Sequence, residues 1–265
     1  MTVAARSILI TGASSGIGRA LALEYAAAGV RLVLVGRDGA RLEDVAGQCR
    51  ARGAEVETGL VDVRDRLAMR DYILAADSRA PLDLLVANAG ISTGLPAGAT
   101  VEDPEAVRGI VSINLIGALN TVEPIIEPMV ARGRGVIALT GSISALRGLP
   151  HCPSYCATKA AVHLYAESLR GTLKRKGVAV SLIVPGFVHT PLNADLVSPK
   201  PLAMTDDRAA RIIRTGLDRG KPVIAFPRLL YWGARLLTVL PTRLVDFVLV
   251  RQRVDVPVTR ERATS

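Results

Sequence analysis

Short, almost continuously apolar runs alternate along this chain with longer segments of helical periodicity, and this alternation restricts the fold more than any other feature. The clearest apolar runs are Ser7–Thr11, Arg31–Gly36, 82–87, Gly135–Thr140 and 178–184, with a weaker one at 55–63. Such runs are typical of parallel strands covered on both faces, because a solvated face would alternate polar and apolar residues. The intervening helical segments include 18–28, 41–52 and 105–132. The sequence therefore predicts an α/β fold, a doubly wound parallel sheet of about seven strands with helices on both faces.

The turn after the first apolar run carries glycines at positions 12, 16 and 18, and a helical segment follows it directly. Gly12 permits a tight turn, Gly16 lets the backbone approach a pyrophosphate, and Gly18 lets the helix pack against the strand. The N–H groups and the positive dipole end at a helix N-terminus attract phosphate. Because this loop lies between a strand and a helix, it predicts a dinucleotide site in a Rossmann-like fold.

The spacing T-G-x-x-x-G-x-G resembles the short-chain dehydrogenase/reductase family, and further motifs follow in that family's order. They are Asp62-Val63, A-N-A-G at 87–90 with Ala87 in place of an asparagine, Asn114, Ser142, Y-x-x-x-K at 155–159 and P-G-x-x-x-T at 185–190. The resemblance covers about residues 7–190. It implies a nicotinamide-dependent oxidoreductase that interconverts a carbonyl and an alcohol of a small molecule. The loop, these motifs and the charge at the end of the second strand together predict the cofactor-binding residues Gly12, Ser14, Ser15, Gly16, Ile17, Gly18, Arg37, Asp62, Val63, Asn88, Ala89, Gly90, Tyr155, Lys159, Pro185, Gly186, Val188 and Thr190.

The choice between NAD(H) and NADP(H) depends on the end of the second strand. An NAD site places a carboxylate there for the ribose 2′-hydroxyl, whereas Gly36 occupies the position here and Arg37 follows it. A guanidinium suits a 2′-phosphate, so we favour NADP(H) over NAD(H). Two points leave the alternative open: Asp38 could bind the ribose, and Ser15 stands where some NADP-preferring relatives have a basic residue.

Tyr155 and Lys159 would lie one turn apart on a single helix face. A tyrosine has a pKa near 10, and a nearby ammonium favours the phenolate, so we expect Lys159 to lower the pKa of Tyr155. Tyr155 could then exchange a proton with the substrate oxygen, while Ser142 stabilises charge on that oxygen. The resemblance further implies that Lys159 binds the nicotinamide ribose and that Asn114 holds a proton-relaying water. The predicted catalytic residues are therefore Asn114, Ser142, Tyr155 and Lys159, and no metal is predicted.

The chain has three cysteines, at 49, 152 and 156, which make no disulfide framework and favour a reducing, cytoplasmic location. No signal peptide is predicted at the N-terminus. We expect Cys156 to pack as a small apolar residue and Cys152 to line the substrate pocket at most. Since Pro153 follows Cys152, one regular helical turn joining the two cysteines is not expected.

The last quarter of the chain is basic and apolar. Residues 200–265 contain 13 Lys/Arg and six Asp/Glu, so they hold +7 of the net charge of +9. Thr205 is predicted to begin a helix that runs to about Asp218, and 222–226 reads as a last strand. We interpret 1–227 as one Rossmann-like cofactor-binding and catalytic domain, and 228–265 as its basic, amphipathic, helical C-terminal extension.

Three roles remain open for this extension. It could cover the chain's own pocket or a partner subunit, or lie in a membrane interface with Tyr231, Trp232 and its arginines as anchors. Nucleic-acid binding is not favoured, because no stacking platform or recognition motif accompanies the charge. We therefore predict an NADP-dependent oxidoreductase. The alternatives are a peripheral membrane enzyme acting on lipid-like ketones and a non-catalytic NADP-binding sensor or scaffold. A homodimer or homotetramer is expected by the resemblance.

Overall fold

The structure is a computed structural model that describes residues 5–92, 94–96, 98–193 and 200–249. The strands are β1 Ser7–Thr11, β2 Arg31–Gly36, β3 Glu55–Leu60, β4 Leu84–Ala87, β5 Gly135–Thr140, β6 Val178–Pro185, β7 Val188–His189, β8 Met204–Thr205 and β9 Val223–Phe226. The α-helices are α1 Gly16–Tyr25, α2 Gly39–Arg50, α3 Arg66–Arg79, α4 Pro104–Ile110, α5 Gly117–Ala131, α6 Pro153–Leu173, α7 Asp206–Asp218, α8 Arg228–Leu237 and α9 Thr242–Leu249. A π-helical segment, Val111–Ile116, joins α4 to α5.

Seven strands form one sheet in the order β3-β2-β1-β4-β5-β6-β9, and every neighbouring pair is parallel. Each apolar run predicted as a strand is a strand, and the weaker run at 55–63 forms the edge strand β3. Strands β1 and β4 are neighbours although β2 and β3 lie between them in sequence. The chain reverses its direction of travel across the sheet at this pair, where ligands bind in folds of this kind.

Both faces of the sheet are buried, which explains the continuous apolar runs. Along β1, Ile8 and Ile10 belong to the core that α1, α2 and α7 cover, while Leu9 belongs to the core on the opposite face. The latter core is covered by α3, α5 and α6 and includes Met69, Ile125 and Val162. The predicted doubly wound, Rossmann-like sheet with helices on both faces is therefore confirmed.

The continuous helix Pro104–Ala131 is the one helix among the described residues that is long and apolar enough to span a membrane. Half of its apolar window is buried inside the protein, and Val122, Ile125 and Met129 are fully buried against the sheet. A core helix has these properties, so its length and composition do not indicate a membrane span.

Beyond β6, the chain adds α7 and the edge strand β9, as the sequence predicts. The Thr205 hydroxyl accepts the N–H of Arg208 and caps α7, and β9 pairs with β6. Two short helices follow, α8 and α9, on either side of Pro241. The predicted extension continues to residue 265, and 250–265 lie outside the described residues, so the extension as a whole stays a prediction.

Candidate active site

Gly12 and Gly18 occupy positions where a side chain would not fit, and Gly16 has a backbone conformation that favours glycine. Gly12 has φ +66°, and a Cβ on it would lie 2.8 Å from the Cα of Ala89. A Cβ on Gly18 would lie 2.2 Å from the carbonyl oxygen of Gly12, so only glycine lets α1 approach β1 here. Gly16 has φ +53° and faces Thr190. The loop therefore has the tight turn and the close helix approach that a dinucleotide site requires.

The N-terminus of α1 can receive an anion. Ser15 occupies the N-cap position, yet its side chain makes no capping hydrogen bond within the described chain, and no acidic residue lies in the first turn. The first N–H groups of α1 are therefore available to phosphate oxygens. Ser14, Ser15, Gly16, Arg19 and Arg41 line a cavity of about 290 Å³ beside this turn, together with the carboxylates of Asp44 and Asp206. Sequence reasoning did not single out Arg19 or Arg41, because neither belongs to a recognised motif.

Thr11 connects the carboxyl ends of β1 and β4. Its hydroxyl donates to the carbonyl of Val86 and accepts the N–H groups of Asn88 and Ala89, at 3.4, 3.1 and 3.2 Å. The Asn88 amide in turn donates to the Thr11 carbonyl at 3.1 Å. These bonds hold the predicted residues 88–90 against the glycine loop, so the two walls of the crevice form one rigid unit.

The structure separates the roles of three residues at the end of β2, where the sequence left open whether Arg37 or Asp38 contacts the ribose. Gly36 faces Ser14, Arg37 extends from the strand end and lies 3.7 Å from the Asp62 carboxylate, and Asp38 caps α2. Asp38 accepts the N–H of Arg41 at 3.0 Å, and its other oxygen lies 2.6 Å from the Arg41 guanidinium. The backbone bond from Arg41 is the main cause that lowers the pKa of Asp38. Asp38 is therefore engaged in stabilising a helix.

Asp62 and Val63 lie just beyond β3, with Asp62 beside Arg37. Arg64 forms a bidentate contact with Asp62, at 2.7 Å for the closest pair. Burial raises the pKa of Asp62, but the hydrogen bonds and charge of Arg64 outweigh it, and the pKa falls below its ordinary value. Val63 is buried against Gly117, while the Asn120 amide holds its carbonyl at 2.9 Å.

The 185–190 motif joins the crevice beside the glycine loop to the C-terminal helices. Thr190 lies against Gly16, and Val188 is buried. Gly186 follows Pro185 at the end of β6, and a Cβ on it would lie 3.1–3.2 Å from Pro227, Leu230 and Ile143. The start of α8 therefore packs directly beside the residue that follows Ser142.

Tyr155 and Lys159 lie on the first two turns of α6, as predicted. The Lys159 ammonium lies 6.0 Å from the centre of the Tyr155 ring and donates to the Thr140 carbonyl at 2.9 Å. Lys159 is almost fully buried, whereas Tyr155 is half-buried. Thr140 ends β5, so the hydrogen bond fixes the lysine at the carboxyl end of the sheet.

The expected effect of Lys159 on the pKa of Tyr155 is not found. Burial raises the pKa of Tyr155 to about 12, and a hydrogen bond with the Ser142 side chain opposes this only in part. Burial also lowers the pKa of Lys159 to about 8. Lys159 is not among the causes of this shift, so loss of hydration decides its direction, and the prediction of a lowered tyrosine pKa is wrong for this structure.

Asn114 lies in the π-helical segment and is almost fully buried. Its side-chain oxygen accepts the N–H of Ile91 at 2.8 Å, and its amide donates to the Ile91 carbonyl at 2.9 Å. A Cβ on Gly90 would lie 3.1 Å from the Asn114 oxygen and 3.4 Å from the Lys159 nitrogen. Gly90 therefore lets both side chains approach one point, and π-helical turns often occur at functional sites.

Ser142 is positioned by a histidine that sequence reasoning missed. The N–H of Ser142 donates to Nε2 of His163 at 3.2 Å, and the Ser142 hydroxyl accepts the N–H of Ser144 at 3.1 Å. A Cβ on Gly141 would collide with the His163 ring. Burial and the charge of Lys159 lower the pKa of His163 to about 4. The 4-residue spacing after Lys159 places His163 on the same helix face, which was the one available signal.

The two neighbouring cysteines are joined by a helical turn, contrary to expectation. The N–H of Cys156 donates to the Cys152 carbonyl at 3.0 Å, and Cys152 is the N-cap residue of α6. Pro153 is compatible with this turn because it occupies the first helical position, where no N–H partner is needed. Cys156 is buried, as predicted, and its sulfur lies 3.7 Å from that of Cys152.

Comparisons with known proteins agree with this geometry. Residues 6–201 match the family model described as short chain dehydrogenase. The chain is 39% identical over 249 residues to an uncharacterized oxidoreductase of Myxococcus xanthus, which covers 94% of this chain and 98% of that protein.

Two solved structures share the fold. A short-chain dehydrogenase from Sphingobium yanoikuyae in complex with NADPH has a TM-score of 0.76 and 26% identity, and covers 89% of this chain and 96% of that one. A short chain dehydrogenase/reductase from Burkholderia phymatum in complex with NAD has a TM-score of 0.80 and 24% identity, over 98% and 99%.

Proposed function

Because this chain belongs to the short-chain dehydrogenase/reductase family, we propose that it is an NADP(H)-dependent oxidoreductase that interconverts a carbonyl and an alcohol. The observation that carries the proposal is the convergence of Ser142, Tyr155, Lys159 and Asn114 at the carboxyl ends of β4 and β5, next to the glycine loop. Reduction is the expected direction, since cells usually keep the NADPH pool reduced.

The preference for NADP(H) rests on the groups at the end of β2. Gly36 offers no carboxylate to a ribose, and the only carboxylate that follows directly, Asp38, caps α2 and pairs with Arg41. Arg37 extends toward the same region and Arg41 lines the adjacent cavity. Guanidinium groups suit the 2′-phosphate of NADPH, because they pair with its negative charge and donate hydrogen bonds to its oxygens. Relatives in this fold carry either NADPH or NAD, so the choice has to come from these side chains.

A pair of variants tests the cofactor choice. We expect Arg37→Ala to raise the KM for NADPH about tenfold while leaving the KM for NADH nearly unchanged, because only NADPH carries the 2′-phosphate. Gly36→Asp is expected to favour NADH, since it supplies the missing carboxylate. Arg134→Ala, in the turn before β5, is the control. An Arg37→Ala enzyme with an unchanged NADPH/NADH ratio would contradict the preference.

The remaining cofactor contacts are assigned by position. Gly12, Ser14, Ser15, Gly16, Ile17 and Gly18 would hold the pyrophosphate; Asp62 and Val63 the adenine; Asn88, Ala89, Gly90, Pro185, Gly186, Val188 and Thr190 the nicotinamide half. When bound, the cofactor supplies the hydride, which the protein itself cannot. The chain's own contribution is to position the substrate oxygen and to provide its proton.

Proton transfer is assigned to the Tyr155 hydroxyl. With a pKa of about 12, this group is protonated throughout the physiological range and can donate to a carbonyl oxygen as negative charge develops there. The Ser142 hydroxyl stabilises the same oxygen. Lys159 holds a positive charge nearby and, with Asn114, offers a route by which Tyr155 regains its proton from solvent.

Replacing the tyrosine tests this assignment. We expect Tyr155→Phe to lower kcat for carbonyl reduction by about 10²–10⁴-fold, the usual contribution of a general acid. Tyr165→Phe, on the same helix and also partly buried, is the matched control and should keep its activity. Tyr155→Phe should still bind NADPH. If the unmodified protein binds NADPH but reduces no compound in a broad carbonyl panel, it is a non-catalytic sensor or scaffold.

We further propose the chain organisation and setting that the sequence suggested. Residues 1–227 would form the catalytic domain and 228–265 its extension, and a truncated 1–227 chain that folds and binds NADPH would support the division. Cytoplasmic location is proposed because the three described cysteines form no disulfide. A homodimer or homotetramer is proposed, to be measured by sedimentation.

A second proposal concerns the outer face of α8. Leu229, Trp232 and Leu236 recur at helical spacing and are 76, 58 and 59% exposed, and Arg228 and Arg235 lie along one edge of this row. Exposed apolar rows of this kind mark interaction sites. Since basic side chains accompany an aromatic anchor, the partner that fits is the surface of a membrane containing anionic lipids. The inner face of α8 packs beside Ile143, which would bring a lipid-like ketone near Ser142.

Flotation of the full chain with lipid vesicles tests this surface. We expect binding to phosphatidylglycerol vesicles, weaker binding to phosphatidylcholine vesicles, and loss of both in Trp232→Ser. Leu60→Ser, which changes an equally exposed leucine at the end of β3, is the control. Absence of flotation would contradict the proposal, and so would a Trp232→Ser variant that changes the oligomeric state, because the face would then contact a second copy.

A further inference from the structure

Cys152 and Cys156 stand on either side of Tyr155 in the first turn of α6, and the function proposed above makes no use of them. Their sulfur atoms lie 3.7 Å apart, in contact through a thiol hydrogen bond. The backbone between them is closed by the hydrogen bond from the Cys156 N–H to the Cys152 carbonyl. We propose that these two thiols form a reversible disulfide, a redox modification site that moves Tyr155 and lowers the proposed reductase activity.

The two thiols are not equivalent. Cys156 Sγ accepts a hydrogen bond from the N–H of Leu149 at 3.4 Å, whereas either sulfur can be the donor in the contact between the two thiols. The contact with Cys152 is the main cause that lowers the pKa of Cys156, while the same contact and burial raise the pKa of Cys152. Hydrogen bonds of this kind favour the thiolate, which is the nucleophilic form of cysteine. Cys156 is therefore the attacking sulfur and Cys152 the resolving one.

A small oxidant has a route to this pair. Cys156 lines a cavity of about 470 Å³, whose other walls include Leu149, Pro150, Ala157 and Ala160. Cys152 is half-buried at the start of the helix. The cavity admits a molecule of the size of a peroxide. By contrast Cys49 is fully buried on the inner face of α2, and burial raises its pKa to about 11.

With a hydroperoxide as oxidant, the reaction balances in two steps. The Cys156 thiolate attacks one peroxide oxygen and the O–O bond breaks. The leaving hydroxide or alkoxide takes up the proton that Cys156 released on ionising, so the products are a sulfenic acid and water or an alcohol. The Cys152 sulfur then attacks the sulfenic sulfur, the S–O bond breaks, and a second water leaves with the thiol proton. The two thiols are oxidised by two electrons, the peroxide is reduced, and a dithiol reductant restores the pair by thiol–disulfide exchange.

Closure of the disulfide must move the tyrosine. The sulfur atoms have to approach by about 1.7 Å to reach the bond length of about 2.05 Å. Cys152 is the N-cap residue of α6, so closing the bond draws the cap onto the first turn of the helix, and Tyr155 lies within that turn. A displacement of about 1 Å at a catalytic group can reduce a rate by about 10²-fold.

The experiment treats the purified full chain with hydrogen peroxide, alkylates the remaining thiols and measures the intact mass and the peptide map. We expect one disulfide that joins Cys152 to Cys156, with Cys49 alkylated only after unfolding. The reductase activity should fall by about tenfold or more and return with dithiothreitol. Cys152→Ser and Cys156→Ser, each compared with its own untreated sample, should lose this response. Cys49→Ser is the matched control and should respond as the unmodified protein does.

Two results would overturn the inference. One is a peptide map in which the pair remains reduced after peroxide has oxidised other residues. The other is a disulfide that forms without any change in activity, which would separate the modification from Tyr155. The mass measurement does not depend on turnover, so a failure of the proposed reductase activity remains distinguishable from a failure of the disulfide.

Discussion

Helices α7 and α8 follow each other along the chain and both are amphipathic, but only α7 has fully buried residues. Ala209, Ile213 and Leu217 of α7 are buried in the core that α1 shares, and Arg214 lies over the ring of Tyr25 at 5.2 Å. Helix α8, described in full, has no buried residue, and its leucines at 229 and 236 face solvent. An amphipathic pattern thus predicts a helix and its apolar face, but the pattern does not contain the identity of the partner.

The largest expected effect contrasts one apolar residue in each helix. Ile213→Ala should lower the free energy of unfolding by about 2–5 kcal/mol, because it removes fully buried methylene groups and leaves a cavity. Leu236→Ala should change it by less than about 0.5 kcal/mol, since that side chain is already hydrated. Urea denaturation measures both values. A cost above about 2 kcal/mol for Leu236→Ala that depends on protein concentration would show that α8 packs on a partner subunit.

The same contrast separates what the sequence could predict from what it could not. The strands were predictable because burial on both faces leaves a continuous apolar run, and the loop at Gly12 and Gly18 because its backbone admits no side chain. Asn114, Ser142, Tyr155 and Lys159 were placed by motif, and the structure brings them to one end of the sheet, although their roles stay predictions.

Other features depend on distances that no local pattern contains. The spacing of His163 after Lys159 indicates a shared helix face but not the contact with Ser142, because tertiary packing brings His163 and Ser142 together. The pKa of Tyr155 was predicted in the wrong direction because burial depth cannot be seen in a motif. The helical turn between Cys152 and Cys156 was missed because Pro153 was treated as a helix breaker and not as a first helical residue.

Lys159 is a buried residue whose positive charge has only the Thr140 carbonyl as a hydrogen-bond partner among the described residues. Its pKa is lowered to about 8 by burial alone, and among the described residues no carboxylate compensates the charge. The unfolded chain therefore binds this proton more tightly between about pH 8 and 10.5, so stability should rise with pH across that window. At pH 7 the charge is destabilising, and Lys159→Met should raise the free energy of unfolding by about 1–3 kcal/mol while abolishing activity.

Denaturation with urea at pH 7 and pH 10 checks this expectation. The advantage of Lys159→Met should shrink at the higher pH, where the native lysine is neutral. Lys174→Met, at an exposed position after α6, should leave the free energy of unfolding unchanged at both pH values. If Lys159→Met destabilises the protein at pH 7, the hydrogen bond from Lys159 to Thr140 outweighs the cost of burying the charge.

His163, in contrast to Lys159, is buried as a neutral group, and its ring nitrogen accepts the N–H of Ser142. Because its pKa is lowered to about 4, the unfolded chain takes up the proton first as pH falls from about 6.5, and stability is lost down to about pH 4. His163→Gln should remove about 1–2 kcal/mol of that acid-dependent loss. His189→Gln, at an exposed histidine in β7, is the control. Equal loss of stability with falling pH in the unmodified protein and in His163→Gln would contradict the lowered pKa of His163. If His163 positions Ser142, His163→Gln should also lower kcat more than it raises KM.

The smallest expected effect concerns side chains at the ends of α7 and α8. Thr205 caps α7 by accepting the N–H of Arg208, whereas Pro227, at the corresponding position of α8, has no side-chain hydrogen bond among the described residues. Thr205→Ala should therefore cost about 1 kcal/mol, and Thr205→Ser should restore most of it. Thr238→Ala at the end of α8 should cost less than about 0.5 kcal/mol, because its hydroxyl bonds an exposed carbonyl that water can satisfy. Equal effects of the two alanine variants would show that α8 is held as firmly as α7, which would require a partner for its outer face even in dilute solution.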